Sequence, residues 1–184
     1  SEYVMRNYLL LSFIFLFTTC KAQTPFQGYD LSKPSKFVKL TQELNEVSGL
    51  QLYNTNNIIA IQDEKGILYR IKAKTGKISK EKKFGPKGDY EGIARVDRSF
   101  FVLRSDGTLF EIENNTLVKK HEFKHHKHMD FEGLCYDKKN NRLLVACKEN
   151  LHKGSKKEVF IYAFDLENKK YKRIYLKFIK VVLV

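Results

Sequence analysis

From about residue 40 onward, short runs of alternating apolar and polar residues are separated by turn-forming residues at intervals of roughly 8 to 12 positions. The same region contains no sustained apolar stripe with the 3.6-residue period of an amphipathic helix. Such alternation is typical of short antiparallel strands that bury one face. The pattern therefore predicts an all-β fold.

The predicted strands fall into three groups of four. The first group comprises Val47–Tyr53, Asn57–Gln62, Ile67–Lys72 and Lys77–Phe84. The second comprises Asp89–Arg95, Ser99–Arg104, Thr108–Glu113 and Leu117–Phe123. The third comprises Phe131–Asp137, Arg142–Cys147, Glu158–Phe164 and Tyr171–Lys177. Turn-forming segments such as Ser105-Asp106-Gly107 separate the strands within each group.

The three groups are related in sequence. They open with Val47-Ser48-Gly49-Leu50, Tyr90-Glu91-Gly92-Ile93 and Phe131-Glu132-Gly133-Leu134. The repeat length of about 40–45 residues and four strands per repeat are typical of a propeller blade. The sequence therefore predicts a β-propeller with four-stranded antiparallel blades, of which about three are present.

Three blades are fewer than the roughly four that a closed propeller needs, and an unclosed blade exposes strand edges. Residues 175–184 form an apolar tail without a turn signal. We expect a C-terminally truncated or frameshifted sequence. Closure by self-association is the alternative.

The N-terminal region predicts export. Met5-Arg6-Asn7 precedes an apolar run, Tyr8–Thr19, that is shorter than the roughly 20 residues of a membrane-spanning helix. Phe17-Thr18-Thr19-Cys20 resembles a lipoprotein box with Cys20 as the lipidated residue, whereas cleavage after Ala22 is the alternative. We expect a signal peptide over residues 1–20, a tether over 21–39 and the partial propeller over 40–184. The protein would then lie in the cell envelope, either membrane-anchored or periplasmic.

Composition adds a strong positive charge. The formal net charge is +13, from 34 Lys and Arg residues against 21 Asp and Glu residues. This excess favours anionic partners, although the lysines are scattered and a solvated basic surface is the simpler interpretation. Export argues against nucleic acid as a partner. Cys135 and Cys147 flank a predicted hairpin, and we expect two small buried apolar residues there rather than a disulfide. Their oxidation state is left open.

The repeated openings carry the candidate chemistry. Asp89 and Glu91 precede Gly92, and Asp130 and Glu132 repeat the arrangement before Gly133. Residues i and i+2 share a strand face, so each pair should point the same way near the propeller axis. Converging carboxylates repel one another unless a hard cation such as Ca²⁺ or Mg²⁺ neutralises them. The alternative is that each acid binds backbone amides or a nearby Lys or Arg at a blade junction.

Histidines form a second, weaker candidate. His121, His125, His126 and His128 are close in sequence and could bind Zn²⁺ or Cu²⁺, but a flexible basic loop is the simpler interpretation. The sequence has no Gly-x-Ser-x-Gly nucleophile elbow and no phosphate-cradling glycine loop. It therefore contains no recognisable enzyme signature.

Taken in order, several segments resemble the SdiA-regulated protein family. They are Glu46-Val47-Ser48-Gly49-Leu50, Ala60–Gly66, Leu68–Ile71, Asp89–Ala94, Asp130–Leu134 and Leu143–Glu149. The resemblance implies a six-bladed bacterial envelope β-propeller, incomplete here because the family's later blades are missing. It also implies that Asp89, Glu91, Asp130 and Glu132 face a shared ion or ligand. Ser48 departs from the acidic pattern of the other two repeats.

These observations predict an exported, lipid-anchored module that binds an unknown ligand or an envelope protein, with Ca²⁺ near its axis. The alternative is a metal-dependent esterase or phosphatase resembling the esterase-like phytases, which have a similar Glu-Gly segment. A third possibility is a structural platform in which the carboxylates only join blade to blade.

Overall fold

The structure is a computed structural model that describes residues 33–114, 116–124, 129–150 and 160–174. The chain divides into two units after Phe37. In the first unit, the described residues 33–37 form no helix or strand. All the elements below belong to the second unit, which begins at Val38.

The described chain contains twelve β-strands. They are β1 (Val47–Asn54), β2 (Asn57–Gln62), β3 (Lys65–Lys72), β4 (Ile78–Lys87), β5 (Tyr90–Val96), β6 (Ser99–Arg104), β7 (Leu109–Glu113), β8 (Thr116–His121), β9 (Met129–Asp137), β10 (Arg142–Asn150), β11 (Phe160–Asp165) and β12 (Tyr171–Ile174). Two short 3-10 helices, Gln42–Leu44 and Lys138–Asn140, accompany them.

The strands form three four-stranded antiparallel sheets in chain order: β1 to β4, β5 to β8 and β9 to β12. The innermost strands pack against one another, with β5 in contact with both β1 and β9. Three consecutive meanders stacked in this way are blades of a β-propeller. The all-β fold and the grouping of strands predicted from the sequence are confirmed.

The strand ends differ from the sequence prediction by a few residues. β4 continues through Gly85 and Pro86 to Lys87, although Pro has no amide hydrogen to donate to a sheet. β8 ends at His121, two residues before the predicted Phe123. Such shifts arise because backbone pairing, not residue preference, sets where a strand stops.

Glycine is required at the turn between β6 and β7. Gly107 has a φ of +83°, a left-handed conformation that side chains with a Cβ rarely adopt. A Cβ there would also lie 2.8 Å from the Cβ of Phe123 and 2.9 Å from a ring carbon of Phe131. The turn predicted at Ser105-Asp106-Gly107 is thus fixed by both conformation and space.

Two buried clusters hold the sheets face to face. Between the first and second sheets, Phe84, Tyr90 and Phe110 meet edge to face with ring centroids 5.1 to 5.6 Å apart. Between the second and third sheets, Phe131 and Phe164 lie fully buried in the second cluster. Aromatic pairs in this geometry contribute about 0.5–1.5 kcal/mol beyond their buried area.

The cysteines behave differently from each other. Neither forms a disulfide within the described part of the chain, and Cys147 is buried as predicted, whereas Cys135 is exposed. The expectation was wrong for Cys135 because it lies opposite Leu144, on the face of the third sheet that points away from the second sheet. Burial of a strand residue depends on which face another sheet covers.

Replacing Phe110 tests the core between the first and second sheets. Phe110 is fully buried, so Phe110→Ala should lower the free energy of unfolding by about 3–5 kcal/mol. Phe37, which is 84% exposed, supplies a matched control; Phe37→Ala should change it by less than about 0.5 kcal/mol. Urea denaturation measures both, and equal effects would contradict the described packing.

Candidate functional site: an acidic rim

The candidate carboxylates lie where two innermost strands begin. Asp89 immediately precedes β5 and Glu91 is its second residue. Asp130 and Glu132 are the second and fourth residues of β9. We call these four residues the acidic rim. Because β5 and β9 pack against each other, the rim is shared by the second and third sheets.

A β-bulge occurs at the same place in each sheet. The pairing register shifts between Val47 and Gly49, between Tyr90 and Gly92, and between Phe131 and Gly133. The extra residue is therefore Ser48, Glu91 or Glu132. A bulge re-aims the side chain of the extra residue. The simple alternation assumed from the sequence is interrupted here, and the three equivalent positions are presented in the same way.

Backbone hydrogen bonds join neighbouring sheets beside the rim. The amide of Tyr90 donates to the carbonyl of Asp63 over 2.7 Å, and the amide of Phe131 donates to the carbonyl of Ser105 over 2.9 Å. Within the second sheet, the amide of Ser105 donates to the carbonyl of Asp89 over 2.8 Å. Each bond joins main-chain atoms, so the rim is held in place independently of its own side chains.

Electrostatics single out Glu91. Its partial burial, a side-chain hydrogen bond with Asp89 and the negative charges of Asp89, Glu132 and Asp130 raise its pKa to about 7. An ordinary glutamate has a pKa of about 4.3. The structure therefore brings all four predicted acids into electrostatic contact.

The first sheet supplies a different group at the equivalent position. Ser48 replaces the glutamate, and its Oγ is buried without a hydrogen-bond partner. Glu46, which stands where the other repeats have aspartate, is exposed and accepts a long hydrogen bond of 3.5 Å from Gln62 Nε2. The acidic rim is thus confined to the second and third sheets.

The chemistry of the rim suits a hard cation, since carboxylate oxygens are the ligands that Ca²⁺ prefers. However, no group of three or more His, Cys, Asp and Glu side chains within the described residues is arranged to hold a metal ion. The rim is a region of concentrated negative charge rather than a preformed metal cage.

A second polar cluster joins the second and third sheets. His121 is buried on β8, with its Nε2 2.7 Å from Glu111 Oε2, and Lys169 Nζ lies 3.1 Å from Glu111 Oε1. Burial lowers the pKa of His121, and the Glu111 hydrogen bond offsets this only in part. Burial opposes ionisation of Glu111, but its bonds to His121 and Lys169 prevail and lower its pKa.

His121 belongs to this buried cluster rather than to the surface. The ring of His121 packs 4.9 Å from that of Phe164, which makes it an interior residue of the sheet interface. Sequence reasoning missed the pairing of His121 with Glu111 on the neighbouring strand β7, and the approach of Lys169 from the third sheet, because no local spacing signals either contact. Tyr171 makes a similar link by donating its hydroxyl to the carbonyl of Gly107 over 2.7 Å.

Several sequence predictions lie outside the described residues. They concern the signal peptide, Cys20, most of the tether and the histidines His125, His126 and His128. Within the described part of the chain, no helix has the length and apolar character needed to span a bilayer.

Comparison with known proteins gives similarity in fold only. No family model and no curated protein matches the chain. Hydrazine synthase from Kuenenia stuttgartiensis has a TM-score of 0.53 and 13% identity, and the match covers 79% of this chain and 38% of that one. At this identity the similarity is evidence for the fold alone.

Two other solved structures have lower TM-scores. The computationally designed Ika4 protein has a TM-score of 0.47 and 13% identity, over 79% of this chain and all (100%) of Ika4. Glutaminyl cyclase from Myxococcus xanthus has a TM-score of 0.43 and 14% identity, over 70% of this chain and 65% of that one.

The raised pKa of Glu91 predicts a specific pH dependence. The folded state binds this proton more tightly than the unfolded chain, so its contribution to stability is present below the ordinary glutamate pKa. That contribution is lost as pH rises through about 7. Glu91→Gln should remove this loss, so the variant should become more stable relative to the parent between about pH 5 and about pH 8. Urea denaturation at both pH values measures the difference.

Glu81→Gln is the control, because Glu81 is exposed on β4 and lies outside the acidic rim. Its free energy of unfolding should change with pH as that of the parent does. If the free energy of unfolding of Glu91→Gln also changes with pH as in the parent, Glu91 titrates like an ordinary glutamate and the described crowding of charge is wrong.

Proposed function

We propose that this chain is an exported, lipid-anchored β-propeller module that binds a positively charged ligand or partner at its acidic rim. The observation that carries the proposal is the convergence of four carboxylates from two sheets, which raises the pKa of Glu91 to about 7. Export and anchoring rest on the apolar run Tyr8–Thr19 and on Cys20. The rim supplies the binding chemistry.

The rim favours cations because its carboxylates repel one another. Every charge that raises the pKa of Glu91 belongs to another acid of the rim. The rim is therefore locally negative, although the chain as a whole has a net charge of +13. A bound cation relieves the repulsion and lets Glu91 give up its proton, so binding and ionisation are coupled. Asp89 and Glu132 are exposed and can be reached from solvent.

Calcium is the simplest cation to consider. Four carboxylates offer oxygen donors only, which favours Ca²⁺ over the zinc and copper preferred by imidazole and thiolate sites. Since the described side chains form no ready cage, the carboxylates have to move together around the ion. We therefore expect weak binding, in the millimolar range of about 10⁻⁴–10⁻³ M known for extracellular calcium modules.

Calcium should raise the thermal stability of the protein. At a concentration about 100 times the dissociation constant, a ligand that binds only the folded state adds about 2.7 kcal/mol. A double variant, Glu91→Gln with Glu132→Gln, should lose most of the increase in Tm, while Glu81→Gln should retain it. Differential scanning calorimetry with calcium, and with chelator as the blank, measures the effect.

The parent and the double variant also separate two kinds of occupant. If calcium has no effect but a lysine-rich peptide raises the Tm of the parent alone, the rim binds a basic partner rather than a metal. The proposal is wrong if neither probe raises the Tm of the parent, or if both probes raise the Tm of the double variant as much as that of the parent. The acids would then serve only to join the blades.

Hydrolysis remains the second candidate, on the evidence of one observation. A carboxyl group with a pKa near 7 suits general acid–base catalysis at neutral pH. A metal-dependent esterase or phosphatase would use the rim to hold the ion and Glu91 to move a proton. Incubation with calcium and generic phosphomonoester and acyl-ester substrates tests this. Turnover that falls at least about 100-fold in Glu91→Gln would support it, and turnover equal in both proteins would reject it.

A further inference from the structure

Each sheet receives a side chain from the next one at its inner-strand glycine. A Cβ on Gly49 would lie 3.0 Å from Ile93 Cγ2, and a Cβ on Gly92 would lie 3.0 Å from Leu134 Cβ. Ile93 and Leu134 each follow the glycine of their own sheet. The rule is therefore simple: the residue after the glycine packs onto the glycine of the preceding sheet.

The two ends of the stack carry the unmatched halves of this contact. Leu50 follows Gly49 in the first sheet and is 58% exposed, whereas Ile93 is 7% exposed. At the other end, the three atoms nearest to a Cβ on Gly133 all belong to Ala146 of the same sheet. The first sheet thus presents an apolar side chain, and the third sheet presents the glycine that would receive one.

The strand registers place further residues on the same two faces. Leu50 and Leu52 pair with Ala60 and Ile58, and Leu52 is 60% exposed. We call the surface around these residues the leucine face. On the third sheet, Gly133 and Cys135 pair with Ala146 and Leu144, which pair in turn with Ile161 and Ala163 on β11. We call that surface the glycine face.

We propose that the glycine face of one copy of this chain binds the leucine face of a second copy. The argument is continuity: the same contact already occurs twice inside the chain, between the first and second sheets and between the second and third. The intermolecular contact repeats it a third time, with Leu50 of one copy on Gly133 of the other.

The leucine face carries a second feature of an internal interface. Leu44 is 3% exposed and packs with Ala60, Tyr69 and Ile71. Phe84, on β4 of the first sheet, packs against Tyr90 and Phe110 of the second sheet in the same manner. Leu44 lies three residues before β1, and Phe84 lies six residues before β5. The leucine face is therefore one half of a sheet-to-sheet core.

Head-to-tail contacts either close into a ring or continue without end. The described sheets of two copies number six, within the range of about four to eight blades found in closed propellers. In a closed pair, each glycine face meets the leucine face of the other copy. We therefore infer a cyclic dimer and not an open filament.

Site-specific crosslinking tests the proposed register. Cys135 lies two residues after Gly133, and Leu52 lies two residues after Leu50, so these positions should meet across the interface. In the full chain carrying Cys20→Ser, in mild detergent, Leu52→Cys should form a covalent dimer on oxidation. The covalent dimer should no longer form when Cys135→Ser is added to this variant. Lys82→Cys, on the exposed outer strand β4, should stay uncrosslinked.

Oligomeric state provides an independent measurement. Sedimentation of the parent should give a dimer, and Leu50→Asp should weaken association at least about 30-fold, as expected for a central contact residue. Lys82→Gln lowers the net charge by the same amount and should remain dimeric. Dimerisation should also slow maleimide labelling of Cys135, an effect that Leu50→Asp should reverse.

Three results would overturn the proposal. The first is a parent chain that stays monomeric at the highest concentration reached. The second is a dimer that is insensitive to Leu50→Asp. The third is a monomer whose Cys135 is protected from maleimide, which would mean that residues of the same chain cover the glycine face.

Discussion

The structure depends on the close contact between the inner-strand glycine of one sheet and the branched residue of the next. Gly49 and Gly92 leave room for Ile93 and Leu134 to approach within 3.0 Å of where a Cβ would be. This contact brings β5 against β1 and β9 and sets the position of the aromatic clusters. A larger residue at either glycine would push two sheets apart along their full length.

The acidic rim is a consequence of the same arrangement. The bulge that precedes each glycine turns its extra residue away from regular alternation, and backbone hydrogen bonds fix the strand on both sides. Glu91 is thereby held near Asp89, Asp130 and Glu132, although mutual repulsion opposes that placement. Sheet packing outweighs the repulsion, because the buried aromatic and aliphatic area is far larger than the surface of four partly solvated carboxylates.

The repeat was predictable because similar short segments recur at regular intervals along the sequence. The recurrence of Gly49, Gly92 and Gly133 predicts three blades and identifies the acids beside them. Burial on a strand was less predictable: Cys135 was expected to be buried, but it is exposed because no sheet of the described residues covers its face. The link from His121 to Glu111 was beyond prediction, since it joins residues of two strands through geometry that only the folded sheet creates.

The main-chain bonds beside the rim separate the role of the backbone from that of the side chains. The amides of Tyr90 and Phe131 are held by carbonyl groups of Asp63 and Ser105, and a carbonyl is present whatever residue occupies its position. The acidic residues of the repeat can therefore be substituted without loss of the blade, as Ser48 in the first sheet illustrates. Such a scaffold can acquire a new binding preference by changing one bulge residue at a time, while the order of its strands stays the same.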